Sequence, residues 1–271
     1  WYTTNPTVTL TPDEPATTHY SLDTTASFAT YTAPISIPSG THTLYYYSRD
    51  MSGNTESVRN ASFKVDPNPP SIETTGVSNG HTYTTPVTPT FEATDTLSGV
   101  ANISATLNGA PFTSGTTISS DGSYTLIVSA TDRAGNTETK TVSFTVDRTA
   151  PVIQATVNPA TPDGENGYYK TTPIITLEAN EPGYMFYAFD TTSSFTTYLA
   201  PFPVPDGIHT IYFFARDRAG NTSALGNVVL YVDTGFPVTS VSIDPATPNG
   251  ANGWYTTNPT VTLTPDEPAT T

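Results

Sequence analysis

The stretch LIVSATDRAGNTETKTVSFTVD, residues 126–147, alternates apolar and polar side chains on both sides of a short turn. Alternation with a period of two is typical of a half-buried β-strand. The turn has the pattern D-x-x-G-N, in which the aspartate can accept hydrogen bonds from backbone amides and the glycine can adopt a positive φ angle. The stretch therefore predicts two antiparallel strands joined by a tight connection.

The same pattern occurs twice more, in LYYYSRDMSGNTESVRNASFKVD at residues 44–66 and in IYFFARDRAGNTSALGNVVLYVD at residues 211–233. The turn aspartates Asp50, Asp132 and Asp217 are 82 and 85 residues apart, which is the size of one small β-sandwich domain. A short proline-containing junction follows each terminal Val-Asp, and such junctions are too stiff to be flexible tethers. We expect an all-β fold of tandem antiparallel β-sandwiches in a linear array.

A longer period is visible because WYTTNPTVTLTPDEPATT occupies residues 1–18 and again residues 254–271, an offset of 253 residues. The first and third repeats resemble each other, whereas the middle repeat differs. We predict four segments: residues 1–66, a sandwich that lacks its leading strand (type A); residues 67–147, a sandwich of type B; residues 148–233, a complete sandwich of type A′; and residues 234–271, the leading strands of the next type A domain.

The identical segments at 1–18 and 254–271 allow two interpretations. In the first, the chain is a window onto one covalent molecule with many units of this length. In the second, separate subunits join when residues 234–253 of one chain complete the first domain of the next by strand addition. In both cases we expect residues 254–271 to reproduce the fold of residues 1–18.

Composition excludes several classes of function. The formal net charge is −15, from 24 acidic and 9 basic residues, which argues against binding to nucleic acids and to anionic membrane surfaces. No apolar run approaches the length of a membrane-spanning helix. The chain contains no cysteine, so disulfides do not stabilise these small domains.

Several sequence motifs carry a family resemblance. The middle domain resembles bacterial Ig-like domains of large surface proteins in DTLSGV (95–100), SATLNG (104–109) and VSFTVDRTAPV (142–152). The flanking domains are similar to the C-terminal sandwich module of chitobiase and hexosaminidase enzymes in YTAPISIPSGTHTLYYYSRDMSGN (31–54) and its third-domain counterpart. The resemblance implies Ig-like sandwiches that act as spacers, stalks or adhesin repeats, without catalytic residues.

Counting back from each turn aspartate separates a core face from an outer face. The second, fourth and sixth residues before it are apolar or small, and Ser48 is the weakest member of the core face. The opposite face carries paired aromatic residues in the type A domains: Tyr45 and Tyr47, and Tyr212 and Phe214. Such rings can be covered by loops or a neighbouring sheet edge, can form a protein contact, or can bind carbohydrate.

We expect no cofactor, because each D-x-x-G-N turn has one acidic residue and calcium needs six to eight oxygen ligands. The alternative is calcium at the junctions, through Asp66, Asp147 or Asp233, although no acidic cluster lies near them in sequence. The four histidines lack metal-binding spacing and are interpreted as half-exposed strand residues. Three N-x-S/T sequons at Asn60, Asn102 and Asn221 are candidate glycosylation sites.

These features predict a structural segment of a giant extracellular surface filament, stalk or adhesin, and not an enzyme. Its expected partners are neighbouring copies of the same repeat, with other cells or glycans as further candidates, and its expected location is the cell surface. Two alternatives stay open: a carbohydrate-binding accessory module of a secreted enzyme, and a subunit that polymerises by strand complementation through residues 234–253.

Overall fold

The computed structural model describes residues 1–267, and over these residues the protein is built almost entirely of β-strands. A 3-10 turn at Ala251–Gly253 is the one helical element in that range. The described residues form two compact units, one of residues 1–149 and a second that begins at Ala150. Each sheet draws its strands from one of four consecutive stretches of the chain. The predicted all-β fold of antiparallel sandwiches is confirmed for these residues.

The first domain contains six strands: β1 (Thr7–Val8), β2 (Ala16–Leu22), β3 (Ala29–Thr30), β4 (Ile35–Ser36), β5 (Gly40–Asp50) and β6 (Arg59–Val65). The larger sheet has the order β3-β2-β5-β6, and the smaller sheet consists of β1 and β4. A small cluster of fully or nearly fully buried side chains forms its core: Ile35, Ile37, Leu44 and Val65.

The middle domain contains seven strands: β7 (Ser71–Thr75), β8 (Thr82–Tyr83), β9 (Thr90–Thr94), β10 (Val100–Leu107), β11 (Ala110–Pro111), β12 (Gly122–Asp132) and β13 (Thr137–Val146). Its five-stranded sheet has the order β11-β10-β12-β13-β8, and β7 pairs with β9. The pair β8–β13 is parallel, which is an exception to the antiparallel pattern.

The third domain contains eight strands: β14 (Ile153–Asn158), β15 (Tyr168–Tyr169), β16 (Ile174–Ala179), β17 (Gly183–Phe189), β18 (Thr196–Thr197), β19 (Phe202–Pro203), β20 (Gly207–Asp217) and β21 (Gly226–Val232). One sheet has the order β15-β21-β20-β17-β18 and the other β14-β16-β19. The pair β15–β21 is again parallel. This domain has both sheets of the sandwich complete.

Beyond the third domain, the chain forms an antiparallel pair of strands, β22 (Thr239–Asp244) and β23 (Thr260–Pro265). This pair repeats the arrangement of β14 and β16, since Val241 lies opposite Leu263 as Ala155 lies opposite Leu177. Thr260 and Val261 are in a strand, like Thr7 and Val8 in the identical segment near the start of the chain. The part of the predicted correspondence that concerns residues 268–271 lies outside the described residues.

The core faces follow the predicted register. On β12, Leu126, Val128 and Ala130 are almost completely buried. On β20, Ile211, Phe213 and Ala215 are buried in the same way, and on β5 Leu44 is fully buried. Ser48 is the weak member of its face, because its hydroxyl pairs with the Thr18 hydroxyl at 3.0 Å instead of packing in an apolar core.

The D-x-x-G-N turns are held by the aspartate side chain. Asp132 accepts hydrogen bonds from the backbone amides of Gly135 and Asn136 at 2.7 and 2.8 Å, and from the Asn136 side chain at 2.8 Å. Gly135 has a φ of 102°, a left-handed conformation that favours glycine. The asparagine of the turn was not assigned a role from the sequence, and its side-chain amide donates to the aspartate. Asn54 and Asn221 make the same contact.

Candidate functional site

The aromatic pairs lie on the outer faces of their strands, as the sequence pattern predicts. Tyr45 and Tyr47 on β5, and Tyr212 and Phe214 on β20, are half-buried and point away from the core. Phe214 is stacked on Phe186 of the neighbouring strand, with ring centroids 4.8 Å apart. A ring of the same domain therefore covers part of this outer face.

The covering rings come from two places in each type A domain. Phe195, in the segment between β17 and β18, meets Phe214 edge-on at 4.9 Å. In the first domain Phe28 meets Tyr47 in the same way at 4.9 Å, and His19 stacks on Tyr47 at 5.1 Å. Sequence reasoning did not identify Phe28 and Phe195, although both follow the Asp-Thr-Thr motif in their repeats.

The outer face of the third domain continues into a more exposed apolar area. Ile208, Val229 and Tyr231 are 60%, 46% and 42% exposed, and the Tyr231 ring lies 5.6 Å from that of Tyr168. The counterparts of the first three residues in the first domain are polar: Thr41, Ser62 and Lys64. The pattern within six residues of the turn aspartate does not predict this difference, because Ile208 lies farther along β20 and Val229 and Tyr231 lie on β21.

Two histidines are components of matched hydrogen-bonded clamps. His42 Nδ1 lies 2.7 Å from Asp23 Oδ2, and His42 Nε2 lies 3.1 Å from the carbonyl oxygen of Ser39. The backbone amide of Thr43 donates to the other carboxylate oxygen of Asp23 at 2.8 Å. The third domain repeats this arrangement with His209 and Asp190 at 2.8 Å.

The clamps favour a charged imidazolium, because both ring nitrogens face oxygen acceptors. The hydrogen bond to Asp23 raises the pKa of His42, and the same bond lowers the pKa of Asp23. Asp190 raises the pKa of His209 in the same manner. The interpretation of these histidines as merely half-exposed strand residues missed this role, although the 19-residue separation of each Asp and His recurs in both repeats.

Three aspartates from distant parts of the sequence meet in the first unit. Asp66, Asp95 and Asp132 each place a carboxylate oxygen within 4.8 Å of the others, and Asp66 and Asp132 are buried. Ser98 donates its backbone amide to Asp66 at 3.0 Å, and Gly99 donates to Asp95 at 2.6 Å. Sequence reasoning expected no acidic cluster near Asp66, because Asp95 and Asp132 approach it only through the fold.

The electrostatics of this cluster depend on its hydrogen bonds. Burial raises the pKa of Asp66, but hydrogen bonds from Ser98 and Asn68 outweigh that effect and leave the pKa below its ordinary value. The side-chain amide of Asn136 also donates to the backbone carbonyl oxygens of Asp66 and Asn68, at 2.8 and 3.1 Å. With one oxygen from each carboxylate, the three aspartates would supply three ligands, and calcium at this place would need further oxygens to reach six to eight.

The other two candidate calcium ligands, Asp147 and Asp233, make hydrogen bonds at their own junctions. Asp147 donates its backbone amide to the Tyr83 carbonyl oxygen at 2.9 Å and accepts from the Thr149 amide at 3.4 Å. Asp233 is exposed and accepts from the backbone amide of Gly235 at 3.3 Å.

The three sequons also differ in accessibility. Asn60 on β6 and Asn102 on β10 are exposed. The side-chain nitrogen of Asn221, the atom that would carry a glycan, donates to Asp217 at 2.8 Å within the third turn. Glycosylation of Asn221 would therefore have to break this hydrogen bond of the turn.

The first domain has a cavity of about 510 Å³ beside its small sheet. Leu10, Pro12, Thr18, Tyr46 and Ser48 are among the residues that line it. These residues come from the segment after β1 and from the core-facing sides of β2 and β5. Charged side chains also line the cavity: Asp13, Glu14, Asp50, Glu56 and Arg59.

Comparison with protein families finds a match in the middle domain. Residues 70–148 match the family model of the bacterial Ig-like domain. This match confirms the resemblance drawn from the DTLSGV and VSFTVDRTAPV motifs. The similarity of the flanking domains to the chitobiase-type module stays a prediction. No curated protein matches the chain.

Solved structures with a similar fold include tandem modules of bacterial proteins. The fibronectin(III)-like modules of Clostridium thermocellum CbhA are 15% identical, cover 60% of this chain and 94% of theirs, and give a TM-score of 0.31. A 1.5-MDa bacterial ice-binding adhesin is 16% identical, with 83% and 89% covered and a TM-score of 0.31. A tetra-tandem repeat from the extending region of a large adhesion protein is 14% identical, with 92% and 80% covered and a TM-score of 0.32. These similarities concern the fold alone.

Within residues 1–267, no helix has the length and apolar character that crossing a membrane requires.

Proposed function

We propose that this chain is a structural, non-catalytic segment of an extracellular surface filament, stalk or adhesin built from Ig-like domains. The observation that carries the proposal is periodicity at two levels. The D-x-x-G-N unit recurs in three sandwiches, and an 18-residue segment recurs without mismatch after 253 residues. Exact repetition over such a distance is typical of arrays in which many similar domains are strung together.

The fold suits a load-bearing role. Each of the three domains has a central strand of eleven residues, β5, β12 or β20, paired on both sides by antiparallel neighbours. Separating such strands requires breaking a ladder of backbone hydrogen bonds. Separation of the strands would also expose the buried apolar side chains of each core face to water, which costs further free energy. The acidic surface keeps closely spaced copies soluble.

The proposal is tested first by the size of the native protein. We expect mass spectrometry and gel analysis of intact material to show a chain much longer than 271 residues, with the 253-residue period repeated in its gene. A native protein with the mass of these 271 residues alone would overturn the covalent array. Immunogold labelling of unpermeabilised cells provides the second test, and we expect the label at the cell surface.

Carbohydrate binding is the second candidate, because the third domain exposes Tyr231 and the neighbouring Ile208 on its outer face. Exposed aromatic rings are suitable for stacking against sugar rings. Glycan-array binding that is lost with Tyr231→Ala, but not with a control change at exposed Leu199, would favour this candidate over a purely structural role. We expect no glycan binding.

A further inference from the structure

The outer surface of the five-stranded sheet in the middle domain is covered by hydroxyl groups. On β12 and β13, buried side chains alternate with side chains that point away from the core. The outward positions are every second residue from Ser123 to Thr131 and from Thr137 to Thr145, and all of them are serine or threonine except Ile127. On the neighbouring strand β10, Ser104 and Thr106 continue this surface. These outward positions of β10, β12 and β13 form the hydroxyl face.

The side chains of the hydroxyl face are arranged in rows across the sheet. Ser129 lies opposite Ser104 on one side and Thr139 on the other, and the hydroxyl oxygens of Ser129 and Thr139 are 3.2 Å apart. In the next row, Ile127 lies opposite Thr141. Neighbouring strands are about 4.8 Å apart, and alternate residues of one strand are about 6–7 Å apart. The face is therefore a regular grid of short polar side chains with one aliphatic side chain near its centre.

No charged side chain belongs to the hydroxyl face among the described residues, although the chain has a formal net charge of −15. The charged residues of β13 lie on the opposite side of the sheet. Lys140 donates to the carbonyl oxygen of Ile72 on β7 at 3.3 Å, and Glu138 lies opposite Ala130, which is buried. The hydroxyl face is thus an uncharged area on a strongly acidic molecule.

The type A domains carry cations at matching positions of their own sheets. The residue before the turn aspartate is Arg49 in the first domain and Arg216 in the third, but Thr131 in the middle domain. Lys64 of the first domain corresponds to Thr145. The lack of charge is therefore specific to the middle domain and is not a general property of these sheets.

A second copy of this chain is the partner whose chemistry fits the hydroxyl face. Two copies repel each other through their net charge, and the repulsion is smallest where the facing side chains are uncharged. A hydroxyl both donates and accepts hydrogen bonds, so a face of hydroxyls is complementary to itself, as a twofold-symmetric contact requires. Ile127 is 38% exposed, and a twofold axis beside it would bring it against the same residue of the other copy and remove both from water.

We propose that the hydroxyl face is the site at which a second copy of this chain packs face to face, with a twofold axis near Ile127. The inference rests on the proposed function, because such a contact would join neighbouring filaments or stalks side by side. A single contact of this kind is polar and weak. In an array the face would recur every 253 residues, and linked contacts bind far more strongly than one alone.

The proposed function and this contact can fail separately. The length of the native chain and its labelling at the cell surface test the array. The self-association of the 271-residue polypeptide tests the hydroxyl face.

The first experiment is sedimentation velocity of the 271-residue polypeptide over a series of concentrations. We expect a monomer–dimer equilibrium that becomes stronger at high salt, because salt screens the repulsion between acidic copies. The double change Thr139→Glu and Thr141→Glu places two carboxylates on the hydroxyl face and should weaken dimerisation at least tenfold.

The matched control is the double change Thr113→Glu and Thr116→Glu, which adds the same charge elsewhere in the middle domain. Both residues are exposed and lie between β11 and β12. Their segment is hydrogen-bonded to β9 of the other sheet, because the Ser114 hydroxyl accepts from the Phe91 amide at 2.9 Å. We expect this variant to dimerise within about twofold of the unchanged chain.

Disulfide cross-linking locates the contact in the second experiment. The chain contains no cysteine, so Ile127→Cys introduces a single thiol at the centre of the hydroxyl face. Under mild oxidation this variant should form linked dimers at least fivefold faster than Thr113→Cys, because a twofold contact centred on residue 127 brings that residue against itself. Circular dichroism of each variant reports whether its strands are retained.

Three results would overturn the proposal. One is a polypeptide that stays monomeric at every concentration and salt level. If such a monomer instead sediments with an insoluble uncharged polysaccharide, and the Thr139→Glu/Thr141→Glu variant does not, the face binds glycans and not a second copy. Another is a dimer that is equally stable in that variant, because the copies would then associate through a different surface. The third is equal cross-linking of Ile127→Cys and Thr113→Cys.

Discussion

The first and third domains have similar sequences but differ in how much core they bury. The third domain buries nine hydrophobic residues around Ile175 and Ile211, with Ile153, Ala155 and Val157 of β14 packed against them. The core cluster of the first domain has four buried residues, with Val8 and Leu10 of the smaller sheet and its following segment packed against it. The comparison shows that the central sheet, which the two domains share, does not by itself set the size of the buried core.

The largest expected difference between the two domains is in the stability lost when a buried core side chain is truncated. Ile211→Ala should lower the free energy of unfolding of the third domain by about 2–5 kcal/mol, the range measured for large-to-small changes at buried sites. Leu44→Ala, the equivalent change, should cost less because the first domain has fewer packed neighbours to lose. Native-state hydrogen exchange at the amides of β5 and β20 measures both. An equal loss in the two domains would contradict the comparison.

Adding a strand at the start of the same polypeptide should increase the stability of the first domain. A polypeptide with residues 234–253 fused before Trp1 places β22 next to residues 7–12 in a continuous type A sequence. Burial of Val241 and Ile243 should stabilise the first domain by about 2–4 kcal/mol. The readout is the hydrogen-exchange protection of β5, and the matched control is the same fusion with Val241→Asp and Ile243→Asp. Unchanged protection in the first fusion would show that the core does not need this strand.

The D-x-x-G-N turns of the first and middle domains should differ less, in how much stability their aspartates contribute. Asp132 is 2% exposed, and its replacement by alanine would leave the amides of Gly135 and Asn136 without their acceptor. We expect Asp132→Ala to cost about 1–3 kcal/mol in denaturant unfolding. Asp50 makes similar bonds in a more exposed turn, so Asp50→Ala should have a smaller effect. A larger effect of Asp50→Ala would refute this ranking by exposure.

The clamps should respond to pH alike in the two type A domains. Because the pKa of His42 and His209 is raised above the ordinary value of 6.5, their stabilising contribution is complete below that value and is lost as the pH rises through the raised pKa. The pKa of Asp23 and Asp190 is lowered, so their contribution is lost only as the pH falls through it. NMR titration should give His42 and His209 midpoints above 6.5.

The control variants for the clamps are Asp23→Asn and Asp190→Asn. Each should return the midpoint of its own histidine toward 6.5 and leave the other histidine unchanged. If both histidines kept their raised midpoints in these variants, the carboxylates would not be the cause.

The sequence predicted the features that depend on local order and missed those that depend on the fold. Alternation around each turn located Leu126, Val128 and Ala130 in the core, because strand geometry fixes which side chains share a face. The meeting of Asp66, Asp95 and Asp132 was missed, because these residues are 29 and 37 residues apart and approach only in the fold. The His42–Asp23 clamp was missed for a related reason: Asp23 follows β2, His42 lies on the neighbouring strand β5, and no metal or catalytic spacing marks the two residues.

The side-chain amide of Asn136 has a mechanical consequence. It donates to the carbonyl oxygens of Asp66 and Asn68 while its own turn is fixed by Asp132. Straightening the proline-containing connection after Asp66 would withdraw those carbonyls from the amide, so this one asparagine acts as a latch. Any extension of this connection would therefore begin by breaking the two hydrogen bonds from Asn136.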